Sequence, residues 1–106
     1  MATKKKFGSF RELIASSSKP VLVDFYAPWC GPCQMMAKIL EEVNARMSQS
    51  VQIVKINTEN YPDLASQYRI QSLPTLVLFK QGQPIDRIEG VVPAQKLIER
   101  LQILAS

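Results

Sequence analysis

Residues 20–47, PVLVDFYAPWCGPCQMMAKILEEVNARM, hold both cysteines and the single tryptophan of the chain. Pro20 to Ala27 is a dense run of apolar, β-branched and aromatic side chains. After the cysteines, Met35, Met36, Ile39, Leu40, Val43 and Met47 recur at three- and four-residue spacing, with Gln34, Lys38, Glu41 and Glu42 between them. The first pattern predicts a strand buried on both faces, and the second an amphipathic helix. Trp29-Cys30-Gly31-Pro32-Cys33 therefore falls where a strand ends and a helix begins.

Two cysteines three residues apart can be a disulfide, half of a zinc site or a coincidence, and position decides between them. On a helical projection Cys33 joins the apolar stripe of Met36, Ala37 and Leu40, so it should face inward. Cys30 precedes the first turn, where backbone N–H groups lack intrahelical partners and the dipole favours negative charge. Helix N-termini and Cys-x-x-Cys motifs lower a thiol pKa from ~8.5 towards ~3.5–7.5. One helical turn also brings the two Cα atoms within the ~4.4–6.8 Å that a disulfide needs. The expectation is one accessible, activated thiolate and one sheltered partner, a pair suited to repeated oxidation and reduction.

Composition narrows the alternatives. A chain of 106 residues is expected to form one domain, 1–106. Its 46% hydrophobic and 21% charged residues are those of a soluble globular protein. Apolar runs stay far below the roughly 18 residues of a membrane span, so no membrane partner is expected. MATKKKFGSF starts basic but has no apolar core of a secretory signal, which points to a reducing compartment. The expected location is the cytoplasm, or the plastid stroma if an import segment has been removed. The net charge of +4 owes part of its size to Lys4-Lys5-Lys6. That run reads as a solvated terminus rather than a nucleic-acid patch, because no basic stripe with interleaved aromatics follows it. The absence of histidine excludes Ser-His and Cys-His nucleophilic arrangements and removes the commonest metal ligand. No metal site is expected, since tetrahedral zinc needs four ligands and two thiols are on offer.

Elsewhere the elements follow from periodicity. Phe10, Leu13 and Ile14 place a helix over Phe7 to Ala15, with Ser9 as its N-cap and Ser16-Ser17-Ser18-Lys19-Pro20 as the following turn. Residues 51–57 form a second strand, parallel to the first across the long helix. Tyr61 to Tyr68 is a short helix with Pro62 in its first turn. Thr75 to Lys80 and Pro84 to Glu89 flank Gln81-Gly82-Gln83 as a hairpin. Pro93 opens a last helix with Ala94, Leu97, Ile98, Leu101 and Leu104 on one face. This is an α/β fold, a central mixed β-sheet with helices on both faces.

Together these residues resemble the thioredoxin family over essentially the full chain. The resemblance is carried by Asp24-Phe25-Tyr26-Ala27 leading into Trp29-Cys30-Gly31-Pro32-Cys33. Lys55 with Asn57, Leu73-Pro74-Thr75, Gly82 and Gly90 complete it. A bare Cys-x-x-Cys is a weak signal, but this combination is highly specific. It implies the thioredoxin fold and a protein thiol-disulfide oxidoreductase without a cofactor. Cys30 would be the nucleophile and Cys33 the resolving thiol. The competing passive disulfide is weak, since so small a loop removes little chain entropy.

Asp24 interrupts an apolar strand, where an unpaired charge is costly. It is either a structural partner of Lys55 or, as the resemblance implies, a buried acid/base that exchanges a proton with Cys33 through water, tuned by Lys55. The resemblance also implies a cis bond before Pro74. It implies a substrate-binding surface of Trp29, Gly31, Pro32, Ser72, Leu73, Pro74, Gly90 and Val91, in which the backbone near Leu73 pairs with an extended substrate. Implied partners are disulfide-containing target proteins and a thioredoxin reductase, either NADPH- or ferredoxin-dependent, with the protein itself a monomer. Three departures stand out. Lys38 replaces a helix-kinking proline and implies a straighter helix. Tyr26 replaces a frequent tryptophan. Arg69 replaces a frequent glycine beside the substrate loop and adds a positive rim. An oxidant or isomerase, a glutaredoxin, and a binding module with incidental cysteines are the competing readings. The intact set Cys30, Cys33, Asp24 and Pro74 argues against the last.

Overall fold

The computed structural model describes residues 7–106, with Lys4-Lys5-Lys6 outside them. β1 (Val21–Tyr26) is the strand against which the others are laid. Val21, Leu22, Val23, Asp24 and Phe25 are each 0–1% exposed, so both faces of the strand are covered. β1 pairs in parallel with β2 (Gln52–Asn57) and antiparallel with β3 (Thr75–Lys80). β3 in turn pairs antiparallel with β4 (Gln83–Glu89), giving the order β2-β1-β3-β4. The parallel pair is joined by α2 (Gly31–Met47), which carries the chain from the end of β1 back towards the start of β2.

Alternation along β1 divides the core in two. Leu22 packs with Met36, Leu40, Val43 and Met47 of α2 and with Leu97, Ile98 and Leu101 of α4 (Ala94–Leu104). Val21, Val23 and Phe25 point the other way, towards Phe10 and Ile14 of α1 (Phe7–Ser16) and Leu64 of α3 (Pro62–Gln67). Asp24 shares the α2/α4 face with Leu22. Burial on both sides of one strand explains why its sequence is apolar without alternation.

Some expectations shift. Ser9 lies inside α1, which already begins at Phe7, so it is not the N-cap. Ser16 ends that helix and donates its hydroxyl back to the carbonyl of Glu12 at 2.6 Å. Met35 belongs to the apolar repeat of α2 but is 57% exposed. The buried stripe is Cys33, Met36, Leu40, Val43 and Met47, and Met35 lies one residue off it. With Lys38 in place of a proline, α2 runs unbroken for 17 residues. The hairpin is tighter than expected: Lys80 pairs with Gln83 across Gln81 (φ 53°) and Gly82 (φ 83°). Positive φ at both central residues is the type I′ geometry that matches strand twist. A Cβ at Gly82 would also come within 3.3 Å of the Ala15 Cα.

The C-terminus of α3 bears on the substrate loop. Arg69 has φ 55°, in the left-handed region. The Arg69 N–H donates to the Ser66 carbonyl at 3.0 Å, and the Ile70 N–H to the Ala65 carbonyl at 2.9 Å. This is the Schellman arrangement, in which the residue at Arg69's place is usually glycine. Arg87 on β4 caps the same end: its Nη1 donates to the Arg69 carbonyl at 3.2 Å and its Nη2 to the Tyr68 carbonyl. A side chain in the left-handed region costs roughly 1–2 kcal/mol, and glycine returns part of that gain through its freer unfolded chain. Arg69→Gly should therefore stabilise the protein by roughly 0.5–1 kcal/mol, read as a melting temperature a few degrees higher. A lower melting temperature would contradict this account of the turn.

Candidate active site at the β1–α2 junction

Cys30 is the N-cap of α2, in extended backbone conformation, and its Sγ accepts the Cys33 N–H at 3.2 Å. The cap fixes which sulfur meets the unpaired N–H groups of the first turn. The two Cα atoms lie 5.2 Å apart and the sulfurs are joined in a disulfide. Cys33, one turn in, faces the core at 3% exposure, as the helical projection requires. Cys30 is less open than the sequence reading supposes: it is 6% exposed, because Ala27, Tyr26 and Leu73 pack around the pair. The asymmetry keeps its direction, but both sulfurs are sheltered in the oxidised protein.

On β1 Asp24 is fully buried, and among the described residues neither carboxylate oxygen has a hydrogen-bond partner. Burial pushes its pKa up from 3.8 to about 6, against a smaller downward pull from the Lys55 charge. Asp24 and Lys55 are register partners across β1 and β2. Lys55 is itself exposed, with Nζ 4.9 Å from the centre of the Tyr26 ring. The pair is thus an electrostatic neighbourhood rather than a closed salt bridge. A cavity of about 100 Å³ is lined by Lys55 and Cys33 together with Tyr26, Ala27, Pro28, Gln34 and Ala37. That volume admits a few water molecules and falls well short of the ~300–1,000 Å³ of an organic-ligand pocket.

Of the remaining expected residues, Leu73 packs directly on the disulfide. The Leu73–Pro74 bond is cis, and the Gly90 N–H donates to the Pro74 carbonyl at 2.9 Å, tying the loop after β4 to the loop before β3. The Thr75 hydroxyl closes the same turn onto the Ser72 carbonyl at 2.7 Å. Trp29 is 70% exposed, and Gly31, Pro32, Ser72 and Val91 are also at the surface. A Cβ at Gly31 or Gly90 would meet nothing within 4 Å, so the space beside both is open. At Gly90 the backbone, with φ 88°, also favours glycine.

Sequence reasoning missed the groups that hold this surface. Trp29 Nε1 donates to the Glu59 carboxylate. Glu59 is placed by an Asx turn, its N–H donating to Asn57 Oδ1 at 2.9 Å. Thr58 anchors that turn through its N–H to the Tyr26 carbonyl at 2.9 Å. Thirty residues separate Trp29 from Glu59, and no spacing rule links them.

A family model described as Thioredoxin matches residues 2–103. The chain belongs to the thioredoxin family. It is 64% identical over 103 residues to a thioredoxin-like protein of Synechocystis, covering 97% of this chain and 98% of that one. It is 52% identical over 101 residues to the chloroplastic thioredoxin Y1 of Arabidopsis thaliana, covering 95% of this chain and 59% of that one. In three dimensions it is similar to a crystal structure of chloroplastic thioredoxin z, with a TM-score of 0.86 and 38% identity over 94% of this chain and 90% of that one. With the cysteine pair at disulfide distance, this thioredoxin is a thiol-disulfide oxidoreductase.

Asp24 gives the site a measurable pH signature. Its folded pKa lies above its unfolded value, so between pH 3.8 and about 6 the folded state binds more protons than the unfolded one. Stability then falls as pH rises through that window and levels off above it. At about 1.4 kcal/mol per pKa unit the loss is of the order of 3 kcal/mol at pH 7. Asp24→Asn should leave oxidised stability nearly unchanged at pH 4 and raise it by ~2–3 kcal/mol at pH 7 in denaturant titrations. Equal effects at both pH values would show that Asp24 does not titrate this way. Lys55→Met should move the Asp24 midpoint further up, since it removes the lowering charge, as read by carboxyl NMR titration.

Proposed function

We propose that this thioredoxin reduces disulfides in target proteins, with Cys30 as nucleophile, Cys33 as resolving thiol and Asp24 as the proton carrier between them. The observation that carries the reading is the Cys30 Sγ at the N-cap of α2, where it accepts the Cys33 N–H. In the reduced protein the same N–H and the helix dipole favour the Cys30 thiolate. This thiolate attacks one sulfur of a target disulfide; a Cys30–target S–S bond forms, the target S–S bond breaks, and the released target sulfur leaves as a thiolate. Asp24 takes the Cys33 proton through water, and Cys33 lines a cavity with room for it. The Cys33 thiolate attacks Cys30 Sγ, the Cys30–target bond breaks, and the second target sulfur leaves. Two electrons have passed to the target, and the protein holds the Cys30–Cys33 disulfide.

A carboxyl that titrates near 6 is suited to this transfer, because it accepts and returns protons close to neutral pH. Burial raises that value, and the Lys55 charge holds it somewhat lower than burial alone would. Trp29, Gly31, Pro32, Ser72, Leu73, Pro74, Gly90 and Val91 form the surface on which an extended target segment lies, pairing with the backbone at Leu73. The cycle closes when a thioredoxin reductase, NADPH- or ferredoxin-dependent, docks on the same surface and reduces the disulfide. The protein acts as a single-domain monomer in a reducing compartment, cytoplasm or plastid stroma. Its similarity to chloroplastic and cyanobacterial thioredoxins supports that placement.

A redox titration of Trp29 fluorescence at pH 7 tests the reading. The expected result is a single two-electron transition well below the glutathione poise, where each ~30 mV is about 1.4 kcal/mol. Cys30→Ser should show no transition and no turnover, while Cys33→Ser should accumulate a mixed disulfide with target, visible by mass spectrometry. Full activity of Cys30→Ser would exclude the mechanism.

A further inference from the structure

Arg69 occupies a position where its side chain works against the backbone. The left-handed conformation at φ 55° is fixed by main-chain hydrogen bonds from Arg69 and Ile70, which a glycine would make as well. Folding therefore has no use for an arginine here, and a non-glycine residue kept in such a conformation points to function. Arg69 is exposed, and among the described residues the ion pairs are Arg87–Glu89 and Arg100–Asp86, neither of which engages it. Among the described residues its guanidinium has no salt-bridge partner.

Its location relates that charge to the cysteine pair. Arg69 precedes Ser72 by three residues on the loop that enters Leu73 and cis Pro74. A second guanidinium, that of Arg87, lies on the carbonyls of Tyr68 and Arg69. Its acid partner, Glu89, is at 3.9 Å and 57% exposed, so the pair is loosely neutralised. Arg87 in turn stands three residues before Gly90, whose N–H holds the Pro74 carbonyl. Both cations thus stand at the base of the loop that carries Leu73. The acid next to Trp29, Glu59, accepts from the indole N–H.

We infer that Arg69, backed by Arg87, is a specificity-determining cationic rim that favours target disulfides flanked by acidic residues. The inference rests on the disulfide-reductase reading above and names the class of target that surface prefers. Exposed charges at an interface rim act mainly on association and are screened by salt. The expected preference is accordingly modest, roughly two- to fivefold at low ionic strength and close to none at high.

The test uses the reduced full-length protein in single turnover, followed by Trp29 fluorescence, so no reductase is needed. The substrates are two synthetic peptides with the same intramolecular disulfide, flanked by glutamates in one and glutamines in the other. The ratio of second-order rate constants, glutamate over glutamine, should be roughly three at low salt and fall towards one at high salt. Arg69→Gly should bring the low-salt ratio close to one despite its higher melting temperature, Arg69→Lys should keep most of it, and Arg69→Glu should invert it. Reduction of both peptides with a wild-type ratio of one, or with the same ratio in Arg69→Gly, would overturn the inference and leave the reductase reading standing. Failure of the wild type to reduce either peptide would overturn both.

Discussion

The complete burial of β1 on both faces is the constraint on which the rest depends. Its side chains from Val21 to Phe25 lose all contact with water, and two helices on each side of the sheet supply the cover. Hydrophobic gain of this kind is what offsets the ordering of the chain. Once β1 is the central strand, its C-terminal end and the start of α2 must meet at one place. That junction is where the cysteines stand, so a strand buried on both faces positions the reactive pair.

Against this background Asp24 is an expense that the core carries. It sits on the same face as Leu22, in a strand that is otherwise apolar, with both oxygens lacking partners among the described residues. A hydrophobic residue there would stabilise the fold, and the exposed Lys55 repays only part of the desolvation. The arrangement is intelligible as chemistry: the same burial that destabilises the ionised carboxyl brings its pKa near neutrality, where a proton carrier works best. Under the proposed mechanism, stability and proton transfer are opposed at this residue.

The α3–β4 corner shows a second compromise. Four main-chain and guanidinium interactions define the turn at Arg69, and none of them uses its side chain. Arg87 serves the fold by capping carbonyls, whereas Arg69 faces solvent beside the loop that leads to Pro74. Trp29 at the β1–α2 junction is likewise exposed, yet held by Glu59, whose own position comes from an Asx turn at the end of β2. The surface around the disulfide is assembled from the ends of separate elements, each anchored by hydrogen bonds to its own backbone neighbours.

The sequence by itself determined the central strand, the α2 stripe, the hairpin and the place of Cys30 and Cys33, because unbroken apolar runs, the 3.6-residue period and turn residues are local signals. It also flagged Asp24 and Lys55, since a charge within an apolar run is conspicuous without knowing its neighbours. Met35 was misassigned because position in a repeat is not orientation, and Ser9 because several residues near a helix start can cap it. What only the tertiary structure decided are contacts between residues remote in the chain: Glu59 on Trp29, Arg87 on the carbonyls of Tyr68 and Arg69, and Leu73 and Tyr26 closing over Cys30. Backbone conformation at Arg69 belongs with these, for its φ is set by how α3 ends. Such contacts depend on where whole elements dock, and docking is a property of packed surfaces rather than of any one segment.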